Sequence, residues 1–387
     1  MKAIPTDVQA LVGRLSNLHE IFRVQCEILA HGEECVEPLA ALLLSEPSGF
    51  PEPRVAAAEC LGAIGGDKAI AALIRVLDYH DLKILGPVQR FAEETVRNTA
   101  ARRLSRFTSQ VVCDSLLAAL RRDHLIGAGQ SLAALGDTRA IPYLIDCLED
   151  DYKKEKATEA LREFGHVAVL FLCESVQQPR FVQGVEPPLS LERRARVAEL
   201  LGELKAHEAV SALDIGRRDE NKEVRIASAV ALVQLGITTQ EVIGQLIAGL
   251  ENQDFTMRNR CAEGLKNAGT KAIPLLADAA GGQVIHFASH GGLRLSLSAR
   301  LVAIKILGLI PDASAAASLM YQLKDPEEIV RYRSVAALDN FKDAQVRKAL
   351  EQVMYHDPSR RVRMRAREVL QTATKGKLGE SDLTILD

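Results

Sequence analysis

Few of the 387 residues have the types and spacing that chemistry needs. His286 and His290, in the stretch HFASH, stand i, i+4, which on a helix would put two metal ligands on one face. Gly281-Gly282 and Gly291-Gly292 bracket that stretch, so a loop is expected instead, and spacing places no third ligand. His31 and Cys35 flank Gly32 at an expected helix end, a structural position. His19-Glu20 and His207-Glu208 repeat a pair of residue types but fall in unlike helix contexts. GAIGGDK (62–68) lacks the preceding strand and the G-x-x-x-x-G-K-[ST] spacing of a phosphate cradle, and reads as a helix break. Neither G-x-S-x-G nor H-E-x-x-H occurs. No catalytic residue, metal ligand or cofactor-binding residue is therefore expected.

The seven Cys are scattered without a C-x-x-C, which suggests reduced thiols in a cytoplasm. Cys26, Cys60, Cys147, Cys173 and Cys261 recur near apolar positions, as small core residues do. The opening MKAIPTDVQALVGRL has no apolar h-region, and no apolar run approaches ~20 residues, so neither secretion nor a membrane span is expected. Aromatics make up 4% with no Trp, a poor fit to a β-sandwich or to a protein that stacks on bases. The net charge of -3 lacks the basic excess of a nucleic-acid binder.

What positions these residues is an internal repeat. PRVAAAECLGAIGGDKAIAALIRVL from Pro53, LIGAGQSLAALGDTRAIPYLIDCLED from Leu125 and IVRYRSVAALDNFKDAQVRKALEQV from Ile329 are variants of one pattern. A helix V-R-x-x-A-x-x-x-L-x-x-L is followed by a Gly-centred break and a helix A-I-P-x-L-I-x-x-L. The apolar positions keep the 3.6-residue period of half-buried helices, and strand-like alternation is absent. Val224 and Met257, which both open the V-R helix, lie 33 residues apart, one two-helix repeat. Ala57, Ala100, Ala128, Ala157 and Ala303 would let neighbouring helices approach closely. Gly65, Gly136, Gly165, Gly236 and Gly269 are placed to stop helices in the αL conformation, and Pro142 and Pro274 to sit in first turns.

This pattern resembles HEAT repeats, in the short bacterial form named after the phycobilisome (bilin) lyases. The resemblance spans roughly residues 15–373 and implies an all-α superhelix, a solenoid of about eleven repeats, each a helix A, a turn and a helix B. It also implies Asp and Arg ladders between successive turns. The second position of helix B is basic in most repeats: Arg54, Arg97, Lys154, Arg194, Arg225, Arg258, Arg300, Arg331 and Arg363. Asp precedes it by six residues in Asp219/Arg225, Asp325/Arg331 and Asp357/Arg363, so these pairs are expected to tie adjacent turns. Residues 1–373 read as one continuous solenoid, and 374–387, which lose the period, as a flexible tail.

Departures from the repeat are the informative places. Four segments lengthen it: 45–53, 80–92, 177–191 and 281–293, each between helix A and helix B. In a solenoid all A-to-B turns line one rim, and each insert carries a Phe: Phe50, Phe91, Phe181 and Phe287. Ile84 and Val185 accompany them. The phenylalanines are either folded-back plugs of the solenoid edge or aromatic anchors for a partner. The third and seventh positions of helix B should face the concave side. Glu159, Glu199, Glu263 and Tyr332 stand there, an acidic and apolar mixture suited to a basic or amphipathic protein segment.

The expected function is a cytoplasmic, non-catalytic scaffold or adaptor that binds a protein partner through the concave face and the loop rim. The resemblance also admits a bilin lyase-like enzyme subunit. Arg-rich stretches at 101–106, 192–196 and 360–367 admit nucleic acid, which HEAT-fold alkylpurine glycosylases hold on such a surface, although the structural ladder accounts for much of the Arg. The paired irons of deoxyhypusine hydroxylase, another HEAT-repeat enzyme, need His-Glu pairs at equivalent positions, which this chain lacks.

Overall fold

A computed structural model describes residues 6–78, 84–286 and 292–375. The chain divides into two compact parts, Met1–Phe171 and Leu172–Asp387. The first holds α1 (Thr6–Gly13), α2 (Ile21–His31), α3 (Val36–Leu43), α4 (Glu52–Ile64), α5 (Asp67–Leu77), α6 (Pro87–Leu104), α7 (Gln110–Asp123), α8 (Ile126–Ala134), α9 (Ile141–Cys147) and α10 (Lys154–Phe164). Helix α11 (Val169–Val176) spans the division. The second part holds α12 (Pro188–Glu203), α13 (Val210–Gly216), α14 (Lys222–Gln234), α15 (Gln240–Gly249), α16 (Phe255–Ala268), α17 (Ile273–Ala280), α18 (Leu297–Leu309), α19 (Ala313–Gln322), α20 (Glu328–Ala337), α21 (Ala344–His356) and α22 (Arg360–Lys375). Odd-numbered helices are the A helices and even-numbered ones the B helices, eleven pairs among the described residues. The architecture is the expected all-α repeat solenoid.

Within each part B helices pack on successive B helices, as in α4–α6–α8 and α12–α14–α16, and A helices form a second row, as in α15–α17–α19. Small residues permit the close approach. Ala57, Ala100, Ala128, Ala157 and Ala303 are fully buried. A Cβ added at Gly202 on α12 would sit 2.9 Å from the Cα of Ala231 on α14, so a larger residue there would push the two helices apart. Asn221, Thr239, Asp254 and Ser296 cap their helices, each accepting a main-chain N–H from the first turn.

Two expectations are corrected. Gly65, Gly165 and Gly269 have positive φ but ψ between -133° and -160°, so they stop helices in a region open to glycine rather than in αL. Helix α22 continues to Lys375, past the expected start of the tail at Thr374, and residues 376–387 of that tail lie outside the described residues.

The arginine ladder exists, with a register that differs from expectation. Arg331 donates to the main-chain oxygens of Asp325 and Pro326 (2.9 and 3.1 Å), not to the Asp325 carboxylate. Its Nε and Nη2 clamp the carboxylate of Asp357 in the next repeat, at 2.8 and 3.1 Å. Asp325 is clamped from the preceding repeat, by Arg300 Nη2 at 2.5 Å. Arg194 reaches Asp219, and Arg97 reaches Asp123, in the same way. Each rung therefore joins one repeat to the next through a charge-assisted bond.

Repeats with an insert differ from those without. Arg54, Arg97, Arg194 and Arg300 donate to Leu43, Leu77, Val176 and Ala280, the last residues of α3, α5, α11 and α17. A cation there satisfies a carbonyl that the helix end leaves without a partner. Arg225, Arg258, Arg331 and Arg363, whose turns are short, take turn carbonyls five and six residues back instead.

Candidate functional site

The inserts fall between helices A and B of their repeats, as expected, but parts of three of them are helical: 52–53 lie on α4, 87–92 with Phe91 on α6, and 188–191 on α12. In the first part of the chain Phe50 is 73% exposed, Ile84 78% and Phe91 73%. Val88, which the sequence reading passed over, is exposed beside them. A Cβ at Gly49 would lie 3.4 Å from Val88 Cγ1, so the inserts of the second and third repeats abut. Together they make an apolar edge on a surface where large apolar groups are normally scattered.

In the second part, the segment before α12 is a pinned two-residue hairpin. Val182 and Val185 exchange both main-chain hydrogen bonds (2.9 and 3.1 Å), and Gln183 and Gly184 turn the corner at φ 52° and 81°. That is the signature of a type I′ turn, which needs positive φ at both central residues. The base is held on three sides. Arg193 Nη2 donates to the Gln178 carbonyl (2.8 Å), and Arg194 Nη1 to the Glu186 carboxylate (2.9 Å). Ser190 Oγ donates to Glu186 (2.7 Å) and accepts the Arg180 N–H (3.2 Å). Both arginines are buried, while Phe181, Val182 and Val185 at the tip are exposed. Phe50, Phe91 and Phe181 therefore plug nothing; Phe287 and His290 lie outside the described residues.

The helix-B positions divide. Ile126, Ala195 and Ile226, third positions expected on the concave side, are buried between helices. The seventh positions fare better. Glu199, Val230 and Glu263 share a 450 Å³ cavity with Asn259, Phe255 and Arg260. Arg260 Nη1 pairs with Glu199 at 2.6 Å, and Lys266 stands 3.6 Å from Glu263. Glu159 is exposed on α10. Tyr332 is half-buried, with the Arg361 guanidinium 4.5 Å above its ring. Phe255 and Arg260 were not legible because their repeat positions carry no fixed residue type.

The Arg-rich stretches are mixed, with Arg102, Arg106, Arg360, Arg361 and Arg367 exposed. Arg193 and Arg194 are buried in the contacts above, and Arg103 pairs with Glu59 at 2.8 Å. Partial burial lowers the Arg102 pKa, and the neighbouring Arg103 charge adds to that. Burial also pushes the thiols of Cys60, Cys147 and Cys261 up to about 12, whereas Cys26 is exposed and so is not the core residue expected. Among the described residues no group of three or more His, Cys, Asp and Glu is placed to hold a metal, and no helix is long and apolar enough to cross a membrane.

Comparison with known proteins follows the same division. Residues 296–371 match HEAT repeats, and residues 53–79 and 126–150 match the PBS lyase HEAT-like repeat. HEAT repeats therefore occur in these stretches of the chain. Phycocyanobilin lyase subunit alpha of Thermosynechococcus vestitus is 33% identical over 197 residues, which is 44% of this chain and 63% of that relative's length. A chain of the Kap95p–RanGDP structure is 11% identical with a TM-score of 0.53, covering 95% of this chain and 55% of its own, a likeness of fold alone. A chain of the CpcE–CpcF phycocyanin lyase complex of Nostoc sp. PCC7120 is 19% identical over 87% of this chain and 94% of its own, with a TM-score of 0.25. In this HEAT array the matched stretches 53–79 and 296–371 border inserts but stop short of the exposed tips at Phe181 and Val185.

Proposed function

We propose that this HEAT array is a non-catalytic, cytoplasmic scaffold or adaptor that holds a protein partner along its insert edges and inner helix-B face. The observation that carries the reading is the exposure of Phe50, Phe91 and Phe181, the last on a turn whose base is fixed. An aromatic side chain left in water contributes little to folding, and one presented on an immobile turn loses little entropy on binding. The acidic positions Glu159, Glu199 and Glu263 suit a basic or amphipathic segment across the inner face. The test is affinity capture from the native host with the intact chain and with Phe50→Ala/Phe91→Ala/Phe181→Ala side by side. A partner held by the first and lost by the second supports the reading, and equal capture by both rejects it.

A bilin lyase-like subunit is the second reading, favoured by the similarity to phycocyanobilin lyase subunit alpha. Co-expression with a bilin and its apoprotein separates the two. Covalent chromophore absorbance that depends on this chain supports the lyase, and its absence supports the scaffold.

A further inference from the structure

One rung of the arginine ladder is missing its acid. In three rungs the carboxylate sits six residues before a helix-B arginine and divides its two oxygens between two donors. Asp219 Oδ1 accepts the Asn221 N–H (2.9 Å), Asp325 Oδ1 the Glu327 N–H (2.9 Å) and Asp357 Oδ1 the Ser359 N–H (2.8 Å). The other oxygen takes the arginine of the preceding repeat, Arg194, Arg300 or Arg331. Asn252 occupies this position six residues before Arg258. Its Oδ1 accepts the Asp254 N–H at 3.1 Å, and its main-chain oxygen accepts Arg258 Nη1 at 2.6 Å, as in the other turns. Where the carboxylates have a second oxygen, Asn252 has Nδ2, a donor.

The arginine that should close this rung is Arg225. Its Nη1 is used as in the other repeats, on the Asp219 and Glu220 carbonyls at 2.7 and 2.6 Å. The Nε/Nη2 fork, which at Arg331 grips Asp357 bidentately, has no acceptor among the described residues. Glu251 is close, but its Oε1 accepts the Ser296 N–H at 2.5 Å. Arg225 and Asn252 instead line a cavity of about 660 Å³, together with Lys222, Ile226, Ala248 and Leu293. That volume is within the range of sites that hold small ligands, typically apolar walls with a few convergent polar groups.

We propose that this cavity binds an organic carboxylate, which takes the seat of the missing ladder aspartate between Arg225 and Asn252 while its apolar body rests on Ile226, Ala248 and Leu293. The planar fork suits a carboxylate in two-point contact, and Arg217 and Lys222 in the lining set positive charge against that of Glu241 and Glu251. The carboxylate comes either from an acidic side chain of a protein segment or from a free small molecule. One wall, Leu293, belongs to the 281–293 insert, but the proposal does not depend on the insert phenylalanines.

The test uses the full chain, with 4-phenylbutyrate for the free acid and acetyl-Leu-Asp-Leu-amide for the side chain, titrated calorimetrically. Saturable binding of either supports the site, and the stronger of the two identifies the source. 4-Phenylbutyramide and the Asn peptide, which lack the charge, should bind about 10- to 100-fold more weakly. Asn252→Asp restores the rung, so it should raise the melting temperature and weaken carboxylate binding at least about tenfold. Because that variant becomes more stable, its loss of binding cannot be a failure to fold. No saturable binding of either acid to the intact chain overturns the proposal. Undiminished binding to Asn252→Asp also overturns it.

Discussion

The base and the tip of the insert before α12 are separated by a dozen residues and are opposite in kind. At the base Arg193 and Arg194 are buried, with their donors on carbonyls, a hydroxyl and carboxylates. At the tip Phe181, Val182 and Val185 are exposed, with only a two-residue turn behind them. A loop that merely filled space would bury its aromatic and let its base move. The observed arrangement fixes the base and leaves the aromatic free, which lowers the entropy lost when something docks on it. In the first part of the chain Arg54 and Arg97 are likewise buried while Phe50 and Phe91 are exposed.

The largest expected effect lies on the buried side of that contrast. Arg97→Ala removes a fully buried guanidinium and leaves the half-buried Asp123 carboxylate and the Leu77 carbonyl to Arg122 alone. The loss of two charge-assisted hydrogen bonds should cost about 2–4 kcal/mol, a fall of about 4–16 °C in melting temperature, read by calorimetry. Burial pulls the Asp123 pKa up, but the guanidiniums of Arg97 and Arg122 outweigh it and hold the carboxyl below the usual range. This stabilisation is fully present above the ordinary carboxylate value of about 4 and is lost as the pH falls through the lowered one. The stability gap between the intact chain and Asp123→Asn should therefore shrink on acidification from pH 7 to pH 3. A gap that widens would assign the pairing to the wrong protonation state.

Smaller effects sharpen the contrast at the tip. Gly184 has φ of +81° and nothing within 4 Å of an added Cβ, so Gly184→Val strains only the backbone of the turn. That strain, about 1–3 kcal/mol, should weaken partner capture with Phe181 still present. Capture at full strength would show that the hairpin need not be preformed. Arg225→Ala removes a ladder arginine without a carboxylate and should cost no more than about 1–2 kcal/mol, the net worth of its two carbonyl bonds. If it costs as much as Arg97→Ala, the carbonyls rather than the carboxylates hold the ladder. The smallest change is chemical: iodoacetamide at pH 8 should label exposed Cys26 and leave Cys60, Cys147 and Cys261 untouched, by mass spectrometry.

The helices were legible because burial acts on every repeat alike, so one pattern of Ala, Leu and Gly recurs and the pairing of α13 with α14 can be read from that of α19 with α20. The ladder was legible in its residue types but not in its register. Asp325 and Arg331 are six residues apart along the chain, yet their side chains point to opposite neighbours, a fact set by the stacking of repeats rather than by the turn. Phe50, Phe91 and Phe181 drew attention as rarities, but whether they plug or protrude depends on what their turns fold against. Arg194 was legible as a ladder arginine, but its hold on Glu186, and that of Arg193 on the Gln178 carbonyl, were hidden inside a basic stretch. Asn252 was invisible until Asp219, Asp325 and Asp357 had shown what belongs in its place.

The central claim, that the insert phenylalanines are anchors for a protein partner, is tested most directly on one variant, Phe50→Ala/Phe91→Ala/Phe181→Ala. Its affinity for the captured partner and its melting temperature should be measured in the same preparation. The account predicts a dissociation constant raised at least about 100-fold with a melting temperature that hardly moves. A collapsed melting temperature, as core phenylalanines lost at about 3–5 kcal/mol each would give, or an unchanged dissociation constant, would contradict it.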